Sequence, residues 1–190
     1  MPDQFIPAAE ENGIIDELSF AVMRAALIQA RQWRDDLTIA VNISPIQFRD
    51  PLLPKRIKAM LEEVDFPATR LELEITETAI LEDKVMTLES VNQMRTMGMR
   101  VSLDDFGTGY ASLSQLRELP FDRIKIDKSF VATLIKDKQS DAIVDAITAL
   151  GRSLSLPITA EGVEDQFAHD LLAGLGCTDA QGWFYGKAMS

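Results

Sequence analysis

The chain has 190 residues, 46% hydrophobic and 26% charged, which fits one domain of ordinary size with a real core and not a disordered segment. Its formal net charge of −11 argues against a protein that coats a nucleic-acid polymer, which needs a basic face, but not against a small phosphorylated ligand reached through metal ions. No run approaches the roughly eighteen apolar residues of a membrane span, and MPDQFIPAAEENG lacks the basic-then-apolar order of a signal peptide, so the expected compartment is the cytoplasm.

In chain order, IIDELSFAVMRAALIQARQW has helical spacing, with the apolar residues Ile15, Leu18, Val22 and Ala26 on one face. β-prone runs follow at TIAVNIS, RLELEITE, RVSLDD and RIKID. AIVDAITALGRSL reads as a helix, LPITAEG as a strand, and EDQFAHDLLAGLG as a helix stopped by glycine. AQGWFYG is predicted as a sixth strand. Strands alternating with helices imply crossover units and a parallel sheet. The strand ends at Asn42, Glu74, Asp104, Asp127, Glu161 and Gln181 are spaced 20 to 34 residues apart, the scale of one βα unit each. The expected fold class is α/β, a TIM-like (β/α) barrel. It is an incomplete one, because six strands fall short of the eight that close such a barrel.

Reactive groups of βα barrels come from the C-terminal ends of the strands, and every predicted strand here carries oxygen there. Asn42 closes AVN, Glu74 and Glu77 close LELEITE, Asp104 and Asp105 close SLDD, and Lys125 and Asp127 belong to RIKID. Glu161 closes ITAEG and Gln181 opens QGWFYG. In RLELEIT, Leu71, Leu73 and Ile75 share one face while Glu72, Glu74 and Thr76 share the other. A single Asp after a strand is ordinarily a turn or cap residue. Acids at four of six ends, with amides at the other two, point instead to cations, since crowded carboxylates do not all stay ionised without one. An all-oxygen donor set suits hard ions better than zinc. Two such ions are a standard device for attack on a phosphodiester.

At these residues the sequence resembles the EAL-domain family of bacterial cyclic di-GMP phosphodiesterases. The likeness runs through FIPAAEENGII, VNIS, LELEITE, DDFGTGYASL, LPFDRIKID, AEGVE and GCTDAQGWFYG, so residues 1–190 read as one EAL-type domain. The resemblance implies metal-dependent hydrolysis of cyclic di-GMP to pGpG with two divalent cations, Mg²⁺ or Mn²⁺, and inhibition by Ca²⁺. It implies Asn42, Glu74, Asp104, Asp105 and Glu161 as metal ligands, Asp104 as the bridge, and Glu161 also as general base. Lys125 matches the lysine that holds the hydrolytic water or a phosphate oxygen. Gln181 and Asp127 support the same site, and Glu77 steadies the loop after the double aspartate. That loop is linked to a homodimer interface, and upstream sensory or cyclase domains are expected partners. The family's Glu-x-Leu-x-Arg motif should precede PDQFIP, where it would supply two strands, one further metal-ligating glutamate and an arginine. The chain is therefore expected to be truncated at its N-terminus. The alternative expectation is a catalytically silent EAL module that binds cyclic di-GMP or a partner protein.

Other residues carry plainer expectations. The single cysteine, Cys177, excludes an internal disulfide and reads as a small buried hydrophobe. His169 reads as an ordinary helix residue, the methionines of MRTMGMR as packing, and Trp33 and Trp183 as packing anchors.

Overall fold

In the computed structural model of the chain, residues 2–108, 120–134 and 138–187 are described. They fall into two compact units, Met1–Val101 and Ser102–Ser190.

The first unit opens with helices α1 (Pro2–Glu11) and α2 (Ile15–Ala30). Strand β1 (Ile39–Asn42) pairs in parallel with β2 (Leu71–Thr76), in a register that sets Val41 against Leu73 and Asn42 against Glu74. A 3₁₀ turn (Pro45–Arg49) and α3 (Leu53–Glu63) form the crossover between them. Ser44 caps that turn in a reciprocal capping box with Gln47. Ser44 Oγ donates to Glu10 at 2.6 Å, and Gln47 Nε2 donates to Asp16 at 3.0 Å, which ties the turn to both preceding helices. After β2 come α4 (Glu77–Glu82) and α5 (Lys84–Thr96), the latter capped by Asp83, which accepts from the Met86 amide. Leu71, Leu73 and Ile75 are fully buried on one face of β2, and Glu72 and Glu74 are buried on the other. The predicted alternation of RLELEIT is therefore the real one.

The apolar face read from spacing in α2 is only partly the inner one. Its buried residues are Ile15, Met23, Leu27 and Ala30, while Val22 is exposed and Leu18 and Ala26 are half-buried. The helix is apolar almost all round, so spacing alone offered two stripes and could not choose between them. Leu27→Ala is expected to lower the unfolding free energy by about 3 kcal/mol, and Val22→Ala by less than about 0.5 kcal/mol. Equal losses in urea titrations would place the wrong face inside.

In the second unit β3 (Arg100–Phe106, continuing from the first), β4 (Arg123–Ile126), β5 (Ile158–Ala160) and β6 (Asp179–Ala180) pair in parallel in that order. Helices α6 (Lys128–Thr133) and α7 (Lys138–Leu154) follow β4, and α8 (Gln166–Leu175) follows β5. Asp165 caps α8, accepting from the Ala168 amide, and Gly176 ends it at φ +98°, as the glycine stop predicted. The sixth strand is only two residues long, and the run predicted as its body, QGWFYG, is a loop. Trp183 and Trp33 are both exposed, against the expectation of packing anchors. Met94 and Met99 are buried as expected. Cys177 is half-buried, and burial pushes its thiol up to about 11, so it stays protonated at neutral pH.

Two carboxylates act as pins. The Arg56 guanidinium and then the Leu52 amide hold the Asp50 carboxyl below its usual range. Burial pushes Asp179 up, but hydrogen bonds from Arg123 and Thr178 outweigh it and hold that carboxyl low. Groups with lowered folded pKa values add stability that is present at neutral pH and lost as pH falls through those values. The difference in urea midpoint between the wild type and Arg56→Met is therefore expected to hold above about pH 5 and to shrink below about pH 4. A difference unchanged down to pH 3 would remove the Arg56–Asp50 pair as its source.

Among the described residues no helix is long and apolar enough to cross a membrane.

Candidate metal centre at the strand ends

The predicted site residues sit where strand ends put them. In the first unit, the parallel register brings Asn42 and Glu74 side by side at the C-terminal ends of β1 and β2, and the ladder continues one step through Ile43 N–H to Glu74 O at 2.9 Å. Asn42 is exposed and Glu74 is buried. Glu77 begins α4 and is buried. The loop it is expected to steady runs from Asp105 into Gly109–Leu113, which lie outside the described residues.

In the second unit the geometry is tighter. The β3–β4 register sets Leu103 against Ile124 but Phe106 against Ile126, so two residues of β3, Asp104 and Asp105, face one residue of β4, Lys125. This is a bulge. Asp105 takes φ +55°, and its amide donates to Asp104 Oδ1 at 3.0 Å. A non-glycine residue in the left-handed region persists only where its surroundings hold it. The bulge turns both aspartates toward one site, which an unbroken strand would send to opposite faces. Gly107 follows at φ +99°, where a side chain would press on Phe130 and Ile147.

Asp104, Asp105 and Glu161 each bring a carboxylate oxygen to within 4.8 Å of the others. Glu161 is placed by backbone bonding just beyond β5, its amide donating to Ile126 O at 3.1 Å. The Lys125 ammonium lies between two of the three, 3.2 Å from Asp104 Oδ1 and 2.5 Å from Glu161 Oε1. Lys125 is 3% exposed and Asp104 7%, so these are buried ions, tolerated because they are paired. One cation does not balance three acids. Burial first, then the charges of Asp104, Asp127 and Glu161 and a hydrogen bond with Asp127, push the Asp105 carboxyl up to about 6. The cluster is thus a group of oxygens short of positive charge, with the donor chemistry of a hard divalent ion. The residues present fit such an ion.

Asp127 closes β4 and caps α6, accepting from the Ser129 amide at 3.0 Å and from the Ser129 hydroxyl. Asp127 thus combines a helix cap with a hydrogen bond to the Asp105 carboxyl. Gln181 follows β6; its amide donates to Ala160 O at 2.8 Å and its side chain is exposed. Missed altogether was Gly182. Any side chain there would collide with the Val163 backbone, and only the G in QGW could have signalled it.

Residues 1–188 match the EAL domain family, and the chain belongs to it. It is 41% identical over 192 residues to the bifunctional diguanylate cyclase/cyclic di-GMP phosphodiesterase MucR of Pseudomonas aeruginosa, covering 99% of this chain and 28% of that protein. It is 38% identical over 191 residues to the cyclic di-GMP phosphodiesterase PdeR of Escherichia coli, covering 99% of this chain and 29% of that protein. Among solved structures, the MucR phosphodiesterase in complex with cyclic di-GMP matches with a TM-score of 0.96 at 40% identity, covering 100% of this chain and 78% of that one. The chain therefore spans between a quarter and a third of those two relatives' length. Its fold class is that of the family, a TIM-like α/β barrel in incomplete form, with six strands among the described residues.

Proposed function

We propose that this chain is the phosphodiesterase module of a signalling protein and hydrolyses cyclic di-GMP to pGpG with two divalent cations, Mg²⁺ or Mn²⁺. The observation that carries the reading is the set of three carboxylates within 4.8 Å of one another, spanned in part by Lys125, in a chain so close to a protein solved with cyclic di-GMP. Asp104, Asp105 and Glu161 would hold the cations in the second unit. Asn42 and Glu74 are assigned as further ligands by their strand-end positions and the family likeness. Bound cations would neutralise the phosphodiester and lower the pKa of the attacking water. Lys125, fixed by its two acids, presents a buried positive charge to a phosphate oxygen or to that water. Glu161 would accept the water's proton, and its 2.5 Å contact with Lys125 holds the carboxylate in position for that task. Asp127 holds Asp105 in place, Gln181 lines the rim, and Glu77 steadies the loop beyond the double aspartate.

The proposed setting is the cytoplasm, as a homodimer joined to upstream sensory or cyclase domains; relatives such as MucR are bifunctional and far longer than this chain. One observation favours a second reading. Residues 1–190 contain no Glu-x-Leu-x-Arg motif, so this stretch alone lacks one acid of the family's set and would bind cyclic di-GMP without turning it over.

Chromatography of the 190-residue chain incubated with cyclic di-GMP and Mn²⁺ separates the two. Accumulation of pGpG supports the hydrolase. Binding by calorimetry without product supports the silent module, and neither binding nor product from folded protein overturns both.

A further inference from the structure

The loop after β6 is joined to the Glu161 loop by its backbone. Val163 N–H donates to Gln181 O at 3.0 Å and Phe184 N–H to Val163 O at 3.0 Å, while Tyr185 N–H closes a turn on Gly182 O at 3.1 Å. Gly182 lies against the Val163 backbone too closely for any side chain. Residue 183 therefore has a position set relative to Glu161, two residues from Val163.

Three consecutive aromatic residues follow Gly182, and they are not used alike. Phe184 stacks on His169 of α8, with ring centres 5.7 Å apart and planes at 27°. Tyr185 packs edge-on to Phe184 at 5.1 Å, and its hydroxyl hydrogen-bonds His169 Nδ1 at 2.6 Å. His169, expected to be an ordinary helix residue, holds these two rings. Trp183 takes no part in this cluster. It is 64% exposed, and the group over its ring is the Lys187 ammonium, 5.3 Å from the ring centre.

An indole left open to water on a backbone-fixed loop costs hydration free energy that burial would recover. On a loop bonded by its backbone to the residue two places after Glu161, an aromatic ring with an ammonium at it matches one ligand chemistry, a purine base with phosphate attached. The base has a π-face for the indole and the phosphate a charge for the lysine. We propose that Trp183, with Lys187 beside it, is the stacking platform for one guanine of cyclic di-GMP. This rests on the phosphodiesterase reading and adds to it a residue that recognises the base, where the carboxylates and Lys125 address only the phosphate.

The chain has two tryptophans, Trp33 and Trp183, so Trp33→Phe leaves Trp183 as the only indole. This variant is titrated with cyclic di-GMP in Ca²⁺, where binding is expected without turnover, and followed by tryptophan emission and by calorimetry in parallel. The expected result is quenching that saturates along the calorimetric isotherm. In the otherwise unaltered chain, Trp183→Ala is expected to weaken binding by about tenfold, and Trp183→Phe to restore most of it. Calorimetric binding with unchanged emission, and unchanged affinity in Trp183→Ala, overturns the platform and leaves the phosphodiesterase reading standing. No heat of binding from folded protein, in Ca²⁺ or Mn²⁺, overturns that reading and the platform with it.

Discussion

Lys125→Met is expected to destabilise the metal-free protein by roughly 3–5 kcal/mol, the usual loss when one partner of a buried ionic group is removed. The methionine fills nearly the same space, so the loss is electrostatic and not a cavity effect. The buried Asp104 and the half-buried Glu161 would be left without the ammonium that lies 3.2 Å and 2.5 Å from them, with Asp105 adding a third negative charge. Mn²⁺ should return a large part of the lost stability, because the ion replaces the missing charge. Activity should not return with it. In the proposed mechanism the lysine's charge serves the reacting phosphate, and loss of such a preorganised group lowers turnover by about 10²–10³-fold. Urea titrations in EDTA and in Mn²⁺, beside product formation, separate the two effects. A variant as stable as the wild type in EDTA would show that these ion pairs do not hold the site together.

The second large effect concerns the ions themselves. Mn²⁺ at about a hundred times its dissociation constant should stabilise the wild type by about 2.7 kcal/mol, seen as a rise in melting temperature. Asp104→Asn keeps the shape of the side chain and removes the charge of a residue proposed to hold the ions. Its Mn²⁺-dependent rise should be lost, and hydrolysis should fall by about a thousandfold or more. The amide oxygen can still accept a hydrogen bond from the Asp105 N–H, so the bulge survives, and Lys125 keeps its pair with Glu161. An equal Mn²⁺ response in both proteins would exclude Asp104 as a ligand.

The strands were legible because their apolar residues alternate with charged ones that are costly to bury unpaired; β2 shows this most plainly, with Leu71, Leu73 and Ile75 on one face and Glu72 and Glu74 on the other. The acids at the strand ends were legible for the same reason. The inner face of α2 was not, because Ile14, Leu18, Val22 and Ile28 make a second apolar stripe beside the buried one. The end of the sheet was not legible either. Trp183, Phe184 and Tyr185 have strong strand propensity, yet the close approach of Gly182 to Val163 and the ring contacts to His169 hold them in a loop. Nor could spacing reveal that Asp104 and Asp105 lie in a bulge, since an extra residue leaves no mark on composition or on the helices around it. The pairing of Lys125 with two acids at once depends on that bulge and on the β4–β5 register, neither of which a linear pattern encodes.

The bulge also says something about how this lineage could lose its chemistry. Leu103 and Phe106 lie beside Ile124 and Ile126 of the neighbouring strand, with two residues between them on one side and one on the other. Loss of a single codon at position 104 or 105 would bring the strands into ordinary one-to-one register with both apolar flanks still correctly faced. The fold would tolerate the change, and one carboxylate would vanish from the cluster. For the proposed hydrolase, a gene copy released from selection for turnover thus has a one-step route to a folded descendant that lacks one acid of the cluster. In-frame deletion at this position, more than scattered substitution, is the signature to seek when silent relatives of this chain are sorted from working ones.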